Sequence, residues 1–401
     1  MIKINLYTTK PKLKLSYRLR IMMGGRRILL LAFLSYLVQI PLSIYLYTVY
    51  VELNMSTALL IIDYSMTFFL TFSLVLNGIT RIFYTSKYLR ILNRIIFIII
   101  LWVPVINLAV ALYFCSIVKK EYEHEYLKAE LRDTREDTYI CKTKYPIVML
   151  HGIGFRDNKF LNYWGRIPKA LKENGANIHY GNHHAWGTIE SNAAEIKSEI
   201  MSIIKESNHK KVNIIAHSKG GLDARYLISE LNMEDYVASL TTISSPHRGS
   251  ELIDVLNKLK DKNYKKLANI INWHFRLIGD KKPNCYESSK QLQPSFMEEF
   301  NKKISDSPKV YYQSFMGIMN NFNTDGLLSI PFLVMKFSKG DNDGLVSIES
   351  SKWGIFKGYI SNRNVALSHG DVIDLKRKNY DGFDITEEYI KIVSELKDNG
   401  Y

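Results

Sequence analysis

Three long apolar runs dominate the first 118 residues. Ile28 to Tyr50 is 23 residues without a charge, Thr57 to Thr80 is 24 with only Asp63, and Ile95 to Val118 is 24 with none. A helix rises about 1.5 Å per residue, so each run is long enough for a hydrocarbon core of roughly 30 Å. Pro41 and Pro104 fall inside two of them, which membrane helices tolerate when neighbours satisfy the freed carbonyl. The first run is too long for a cleavable signal, and no small-residue cleavage site follows it. The pattern predicts transmembrane helices over about 28–50, 57–80 and 95–118. Lys119 to Asp137 then alternates acids and bases and predicts a solvated linker helix.

From Tyr145 the pattern changes. Short β-branched runs alternate with helical periodicity, which predicts an α/β class: a mostly parallel sheet with helices on both faces. Strands are expected at Pro146–Leu150, Ala176–Tyr180, Val212–Ala216, Val237–Ser244, Lys309–Phe315 and Asn364–Leu367. Helices are expected at Phe160–Asn174, Glu190–Ser207, Gly220–Leu231 and Ile385–Lys397. The last opens on Asp384 and Glu387 at capping-box spacing and repeats Ile385, Tyr389, Ile392 and Leu396 on one face.

Charge sharpens this division. The chain has 401 residues and a formal charge of +14. Residues 1–118 carry 12 Lys/Arg against only Glu52 and Asp63, while the remainder is nearly balanced. The excess belongs to the apolar third, so a nucleic-acid partner is not indicated. The tail before Ile28 holds eight of the positives, the 51–56 loop none and the 81–94 loop four. By the positive-inside rule the N-terminus is cytoplasmic and everything after Val118 extracytoplasmic. The expected organisation is a basic tail (1–27), three membrane helices (28–118), a charged linker (119–137) and an enzyme-like domain (138–401). Three cysteines build no disulfide scaffold, and no Cys/His spacing resembles a zinc site. Whether Cys141 and Cys285 pair stays open.

The chemistry concentrates in Ala216-His217-Ser218-Lys219-Gly220, which follows the apolar Val212-Asn213-Ile214-Ile215 and precedes Gly221 and a helix. This is a nucleophile elbow with Ala in the first glycine position. The strand-to-helix turn thrusts the Ser218 hydroxyl forward, and only small residues fit two positions to either side. The serine needs a base, and in this fold the order is Ser, acid, His. His247, in Ser245-Pro246-His247-Arg248, comes too early for an acid strand to precede it. His274 sits in an aromatic helical stretch. His369, at the end of the expected last strand, remains. For the acid, Gly340-Asp341-Asn342-Asp343-Gly344 offers Asp343, which Gly344 lets turn inward, with Asp341 in reserve. The oxyanion donors would be the backbone N–H groups of Lys219 and of Ile153, in His151-Gly152-Ile153-Gly154-Phe155. His151 is expected to brace that loop. His183 and His184 form no metal pair by spacing.

Those motifs, with Asn162-Tyr163-Trp164 and Ser245-Pro246-His247-Arg248-Gly249-Ser250, resemble the bacterial triacylglycerol lipases, the lactonizing-lipase group of the α/β-hydrolases. The resemblance runs from about Pro146 to Asp371 and implies Ser218, Asp343 and His369 as a catalytic triad. It also implies a structural calcium ion, with Asp371 as one ligand and Asp325 as the second carboxylate; the alternative for Asp371 is a helix N-cap. Residues 251–300 occupy the place of a lid, with basic positions from Lys258 to Lys266 preceding an apolar Leu267–Phe275. A bilayer-reading lid and a permanently packed cap both fit that pattern. The expected function is a membrane-anchored serine hydrolase of lipid acyl esters at the cell membrane, requiring no cofactor for chemistry. Phospholipase, thioesterase and acyltransferase remain open on the same site, as does a non-catalytic receptor or scaffold with a hydrolase fold.

Overall fold

The structure is a computed structural model that describes residues 16–53, 55–89, 91–100, 106–133, 139–155, 162–257, 261–277, 279–280, 283–361, 365–380 and 382–401. It divides into two compact units, Met1–Glu136 and Asp137–Tyr401.

The first unit is helical, with α1 (Tyr17–Glu52), α2 (Thr57–Thr85), α3 (Ile91–Ile100) and α4 (Ile106–Asp133). Helices α1 and α2 are long and apolar enough to cross a membrane. Much of their apolar surface points away from the unit's own core; Ile44 is 63% and Phe69 68% exposed. The expected third span is described in two parts. Its first half falls on the ten-residue α3, and its second half opens α4, which runs on through the charged segment from Lys119 to Asp133. Residues 101–105 between them, with Pro104, lie outside the described residues, as does the tail before Ser16. The expected tail boundary at residue 27 is no break in structure, because α1 already begins at Tyr17.

A close glycine approach and a buried carboxylate help hold the unit together. A Cβ on Gly25 of α1 would stand 2.9 Å from the Gly78 carbonyl of α2, so the two backbones approach as only small residues permit. Glu121 of α4, fully buried, accepts from Arg18 Nη1 at 2.5 Å, Ser86 Oγ at 2.7 Å and the backbone N–H groups of Lys87 and Tyr88 at 3.1 Å. That carboxylate ties the start of α1 to the end of α2.

The second unit is built on six parallel strands in the order β2-β1-β3-β4-β5-β6. They are β1 (Ile147–Leu150), β2 (Ile178–Tyr180), β3 (Val212–His217), β4 (Val237–Ile243), β5 (Tyr311–Met316) and β6 (Ile355–Tyr359). Its helices are α5 (Ile167–Glu173), α6 (Ile189–Ser207), α7 (Lys219–Glu230), α8 (Glu251–Asn257), α9 (Asp261–Leu277), α10 (Cys285–Lys290), α11 (Pro294–Lys303), α12 (Ser329–Lys339), α13 (Ile348–Ser351) and α14 (Ile385–Asp398). Side chains alternate across a strand, so β1 feeds two cores. Ile147 and Met149 pack with Ile167 and Leu171 of α5 and Tyr389 and Val393 of α14. Val148 and Leu150 pack with Ile196 and Ile200 of α6 and Leu227 of α7. Both faces of the sheet are therefore covered, which is why its central strands read as continuous apolar runs. The Asp384 side chain caps α14 by accepting from the Thr386 N–H at 2.9 Å.

One expected strand is corrected. Val365–Leu367 belong to no strand, and Asn364 lies outside the described residues; the sixth strand is β6. Leu367 is buried, but its N–H donates to Ile318 O in an isolated extended segment rather than a ladder. Strand β6 lies at the sheet edge, with Ile355, Lys357 and Tyr359 exposed and Gly354 and Gly358 at positive φ. Those glycines interrupt the β-branched pattern by which strands are recognised.

Candidate active site

Ser218 stands where β3 passes into α7, with φ 54° and ψ −131°, a backbone conformation an L-residue adopts only under strain. Its N–H donates to Ile243 O at 3.0 Å, fixing the turn to β4. A Cβ at Gly220 would stand 2.6 Å from His151 O, so the elbow excludes any larger residue there. A Cβ at Gly152 would lie 2.8 Å from Ser218 Cβ and 2.8 Å from Tyr163 Oη. The loop after β1 thus rests directly on the elbow.

His369 and Asp343 meet as a pair. His369 Nδ1 lies 2.8 Å from Asp343 Oδ2, and the His369 N–H donates to Asp343 O at 2.8 Å. The other carboxylate oxygen of Asp343 accepts from the N–H groups of Leu345 and Val346 at 3.1 and 2.9 Å. Asp343 is fully buried, so its carboxylate is held in place by these bonds. The reserve candidate Asp341 points away; it is half-exposed and paired with Lys336. The His369 ring packs at 4.5 Å between centroids against His217, the residue before Ser218. His247, by contrast, bonds Thr242 Oγ1 at 3.1 Å and stacks on Trp353, and His274 is exposed.

In the loop after β1, the N–H of Gly152 donates to Tyr163 Oη at 2.9 Å and that of Gly154 to Ala185 O at 2.9 Å. The Ile153 N–H between them has no partner among the described residues. Neither has the N–H of Lys219, first residue of α7, where helix geometry leaves donors unused. Two free backbone donors beside a strained serine can hold a developing oxyanion.

Behind these donors stand two groups that escaped the sequence reading and a third, around His151, that it expected. Tyr163 Oη is hydrogen-bonded to His217 Nδ1 at 2.6 Å and also accepts from Gly152. Burial holds His217 well below the usual imidazole pKa, with His369 adding to the effect, so the ring is neutral. The Lys219 side chain turns inward to Asp223 Oδ1 at 2.6 Å, and Asn192 donates to Asp223 Oδ2 at 3.0 Å. Burial raises the pKa of Asp223 in spite of that lysine. His151 and His183 stack at 3.7 Å, each with a ring nitrogen on the other's carbonyl, at 3.0 and 3.2 Å. His151 therefore braces the loop. His184 lies 3.2 Å from Glu195 and joins no metal-competent cluster among the described residues.

Both carboxylates expected to hold calcium lie on lysines. Asp325 is buried but already pairs with Lys376 and accepts from Ser368 Oγ at 2.7 Å. Burial opposes its ionisation, yet the bonds from Lys376 and Ser368 outweigh this and hold its pKa below the usual carboxylate range. Asp371 pairs with Lys378 Nζ at 2.9 Å, and that ammonium also donates to Thr324 O at 3.3 Å. Asp371 opens a one-turn 3₁₀ segment and its side chain caps nothing. A lysine ammonium group therefore already neutralises each carboxylate.

With the geometry in place, known proteins can be compared. A family model described as palmitoyl protein thioesterase matches residues 146–369. Triacylglycerol lipase 2 of Saccharomyces cerevisiae is 34% identical over 270 residues, covering 61% of this chain and 78% of the yeast protein. A triacylglycerol lipase of Vibrio cholerae serotype O1 is 34% identical over 116 residues, 29% of this chain and 36% of its own length. The chain thus spans most of the yeast relative but only about a third of the bacterial one. Among solved structures, the mature form of the Bacillus licheniformis lipase BlEst2 superposes with a TM-score of 0.45 at 21% identity, covering 58% of this chain and 88% of that one.

Proposed function

As a member of the palmitoyl protein thioesterase family, with an α/β-hydrolase fold, the chain is a carboxylic ester hydrolase, and we propose that it cleaves acyl esters of lipids through Ser218, His369 and Asp343. The observation that carries this reading is the His369–Asp343 bond beside the strained Ser218. Ser218 Oγ attacks the ester carbonyl as its proton passes to His369 Nε2, and Asp343 fixes the imidazole tautomer and stabilises its charged form. The negative oxygen sits on the Ile153 and Lys219 N–H groups. The C–O bond breaks, and the alcohol departs with the proton from His369. Water then adds to the acyl-enzyme, giving a proton to the same histidine, and the carboxylic acid leaves as Ser218 recovers it.

Lipid is the proposed substrate because the relatives are lipases and the same chain carries two membrane-length apolar helices. The proposed arrangement has three membrane segments, the N-terminus inside and the hydrolase unit outside. Thioester cleavage is a second reading, favoured by the description of the matching family; the same steps then expel a thiol.

A fluorophosphonate probe tests the nucleophile. The wild-type chain should be labelled and Ser218→Ala should not. Labelling that survives in Ser218→Ala would overturn the assignment. A panel of lipid esters and acyl thioesters on the full chain then separates the two substrate readings.

A further inference from the structure

Helix α12 has a composition that a water-facing helix does not need. Its inner face buries Phe332 and Met335. Its outer face presents Ile330 and Phe337, and Leu327 lies two residues before it; these three are 75%, 89% and 84% exposed. Apolar side chains on both faces, the outer ones almost wholly uncovered, mark a surface made to meet another apolar phase. We infer that the outer face of α12, together with that of α9, inserts into the interfacial layer of a lipid bilayer.

The neighbouring α9 supports this occupant. It exposes Ile270, Trp273 and Leu277 at i, i+3 and i+7. Its first half carries exposed Lys262, Lys265 and Lys266. Both helices pack against α8, so the two apolar faces flank one element. Lysines beside an apolar aromatic face suit lipid headgroups and acyl chains better than they suit a protein partner. On α12 itself Lys336 and Lys339 pair with Asp341 and Glu251, so that helix meets lipid by apolar contact rather than charge. The inference rests on the proposed membrane anchoring, which supplies the bilayer and keeps it at high effective concentration.

The placement gives the contact a use. Asp325, just before α12, holds Ser368, the residue before His369, and Asp343 follows the helix at the next turn. Docking by α12 would bring the proposed catalytic segment to the headgroup layer and let a lipid ester enter without crossing water.

The full chain in phosphatidylcholine–phosphatidylglycerol proteoliposomes provides the test. Cys115, Cys141 and Cys285 are buried, so a bimane probe can be directed to Phe337→Cys, or to Ile330→Cys if the first variant folds poorly. Ser202→Cys, exposed on α6, is the control. Lipids brominated along their acyl chains should quench the probe at 337 or 330 and spare it at 202. A water-like, unquenched probe in a chain that resists carbonate extraction overturns this inference alone. Extraction of the chain by carbonate removes the membrane reading and this inference with it. Energy transfer between labelled copies without lipid quenching would assign the face to a second copy and overturn it too. As a functional counterpart, Ile330→Asp with Phe337→Asp should slow hydrolysis of bilayer lipid by about tenfold or more, with a short soluble ester hydrolysed within about twofold of wild type.

Discussion

Tyr163 Oη lies 2.6 Å from His217 Nδ1 and accepts the Gly152 N–H at 2.9 Å, so one phenol joins the loop after β1 to the residue before Ser218. Removing that hydroxyl leaves two buried polar groups without a partner, at roughly 1–3 kcal/mol each if nothing replaces it. Tyr163→Phe should therefore lower kcat for a soluble ester by about tenfold or more, with KM little changed, because the oxyanion donors lose position rather than identity. An unaltered kcat would show that the loop holds its place without Tyr163.

The two aspartates of the 340–344 turn should differ sharply. Asp343 is buried on His369, whereas Asp341 pairs with Lys336 at the surface. Asp343→Asn should cost about 10⁴ in kcat by imposing the wrong imidazole tautomer, and Asp341→Asn should stay within about twofold. Steady-state kinetics on the two variants decide between the carboxylates.

Lysines 376 and 378 stand where a cation was expected, so chelation should change neither activity nor unfolding temperature. Lys376→Met would leave the Asp325 carboxylate without its counter-charge. The loss should be about 1–3 kcal/mol, below that of a fully buried pair because Lys376 is a third exposed. Denaturant unfolding with and without added calcium measures both effects. Stabilisation of the wild-type chain by calcium would count against the lysine pairing.

Stability should fall in acid through three histidines. Burial holds His183, His217 and His247 well below the usual imidazole value of 6.5. Below that pH the unfolded chain takes up protons that the folded chain refuses. Their contribution is thus complete above 6.5 and declines as pH falls, by about 1.4 kcal/mol per pH unit for each histidine. Denaturant midpoints collected from about pH 8 down to pH 5 should give that slope, and His247→Gln should reduce it by one proton.

Much of this arrangement was legible before any coordinates, for identifiable reasons. The elbow and the central strands announce themselves because burial on both faces forces continuous apolar runs and because close approach forces small residues at Ala216 and Gly220. Asp343 could be preferred over Asp341 since Gly344, at φ 101°, permits the inward turn. Other features left no such trace. Strand β6 is an edge strand with Gly354 just before it and Gly358 within it, so its pattern is weak. The partners of Asp325 and Asp371 are decided by where Lys376 and Lys378 fall in space, and spacing along the chain carries no sign of that. Tyr163 and His217 read as ordinary motif neighbours until the fold sets their rings together. The exposed face of α12 was hidden for the opposite reason: an apolar helix looks like core until its surroundings are known.

Glu121 bears on how the helical unit is made. Its carboxylate is satisfied by Arg18 from the first helix and by Ser86, Lys87 and Tyr88 from the end of the second, all synthesised earlier. During translation the α1–α2 hairpin can close first through Gly25 and Gly78, but it leaves a cluster of donors unanswered. Arrival of Glu121 completes them in a single step, before the first strand of the hydrolase unit has been made. A helical unit assembled this way finishes ahead of the hydrolase unit that follows it. A nascent chain arrested before residue 121 would leave Arg18 at the helix ends without either carboxylate that pairs with it in the finished unit.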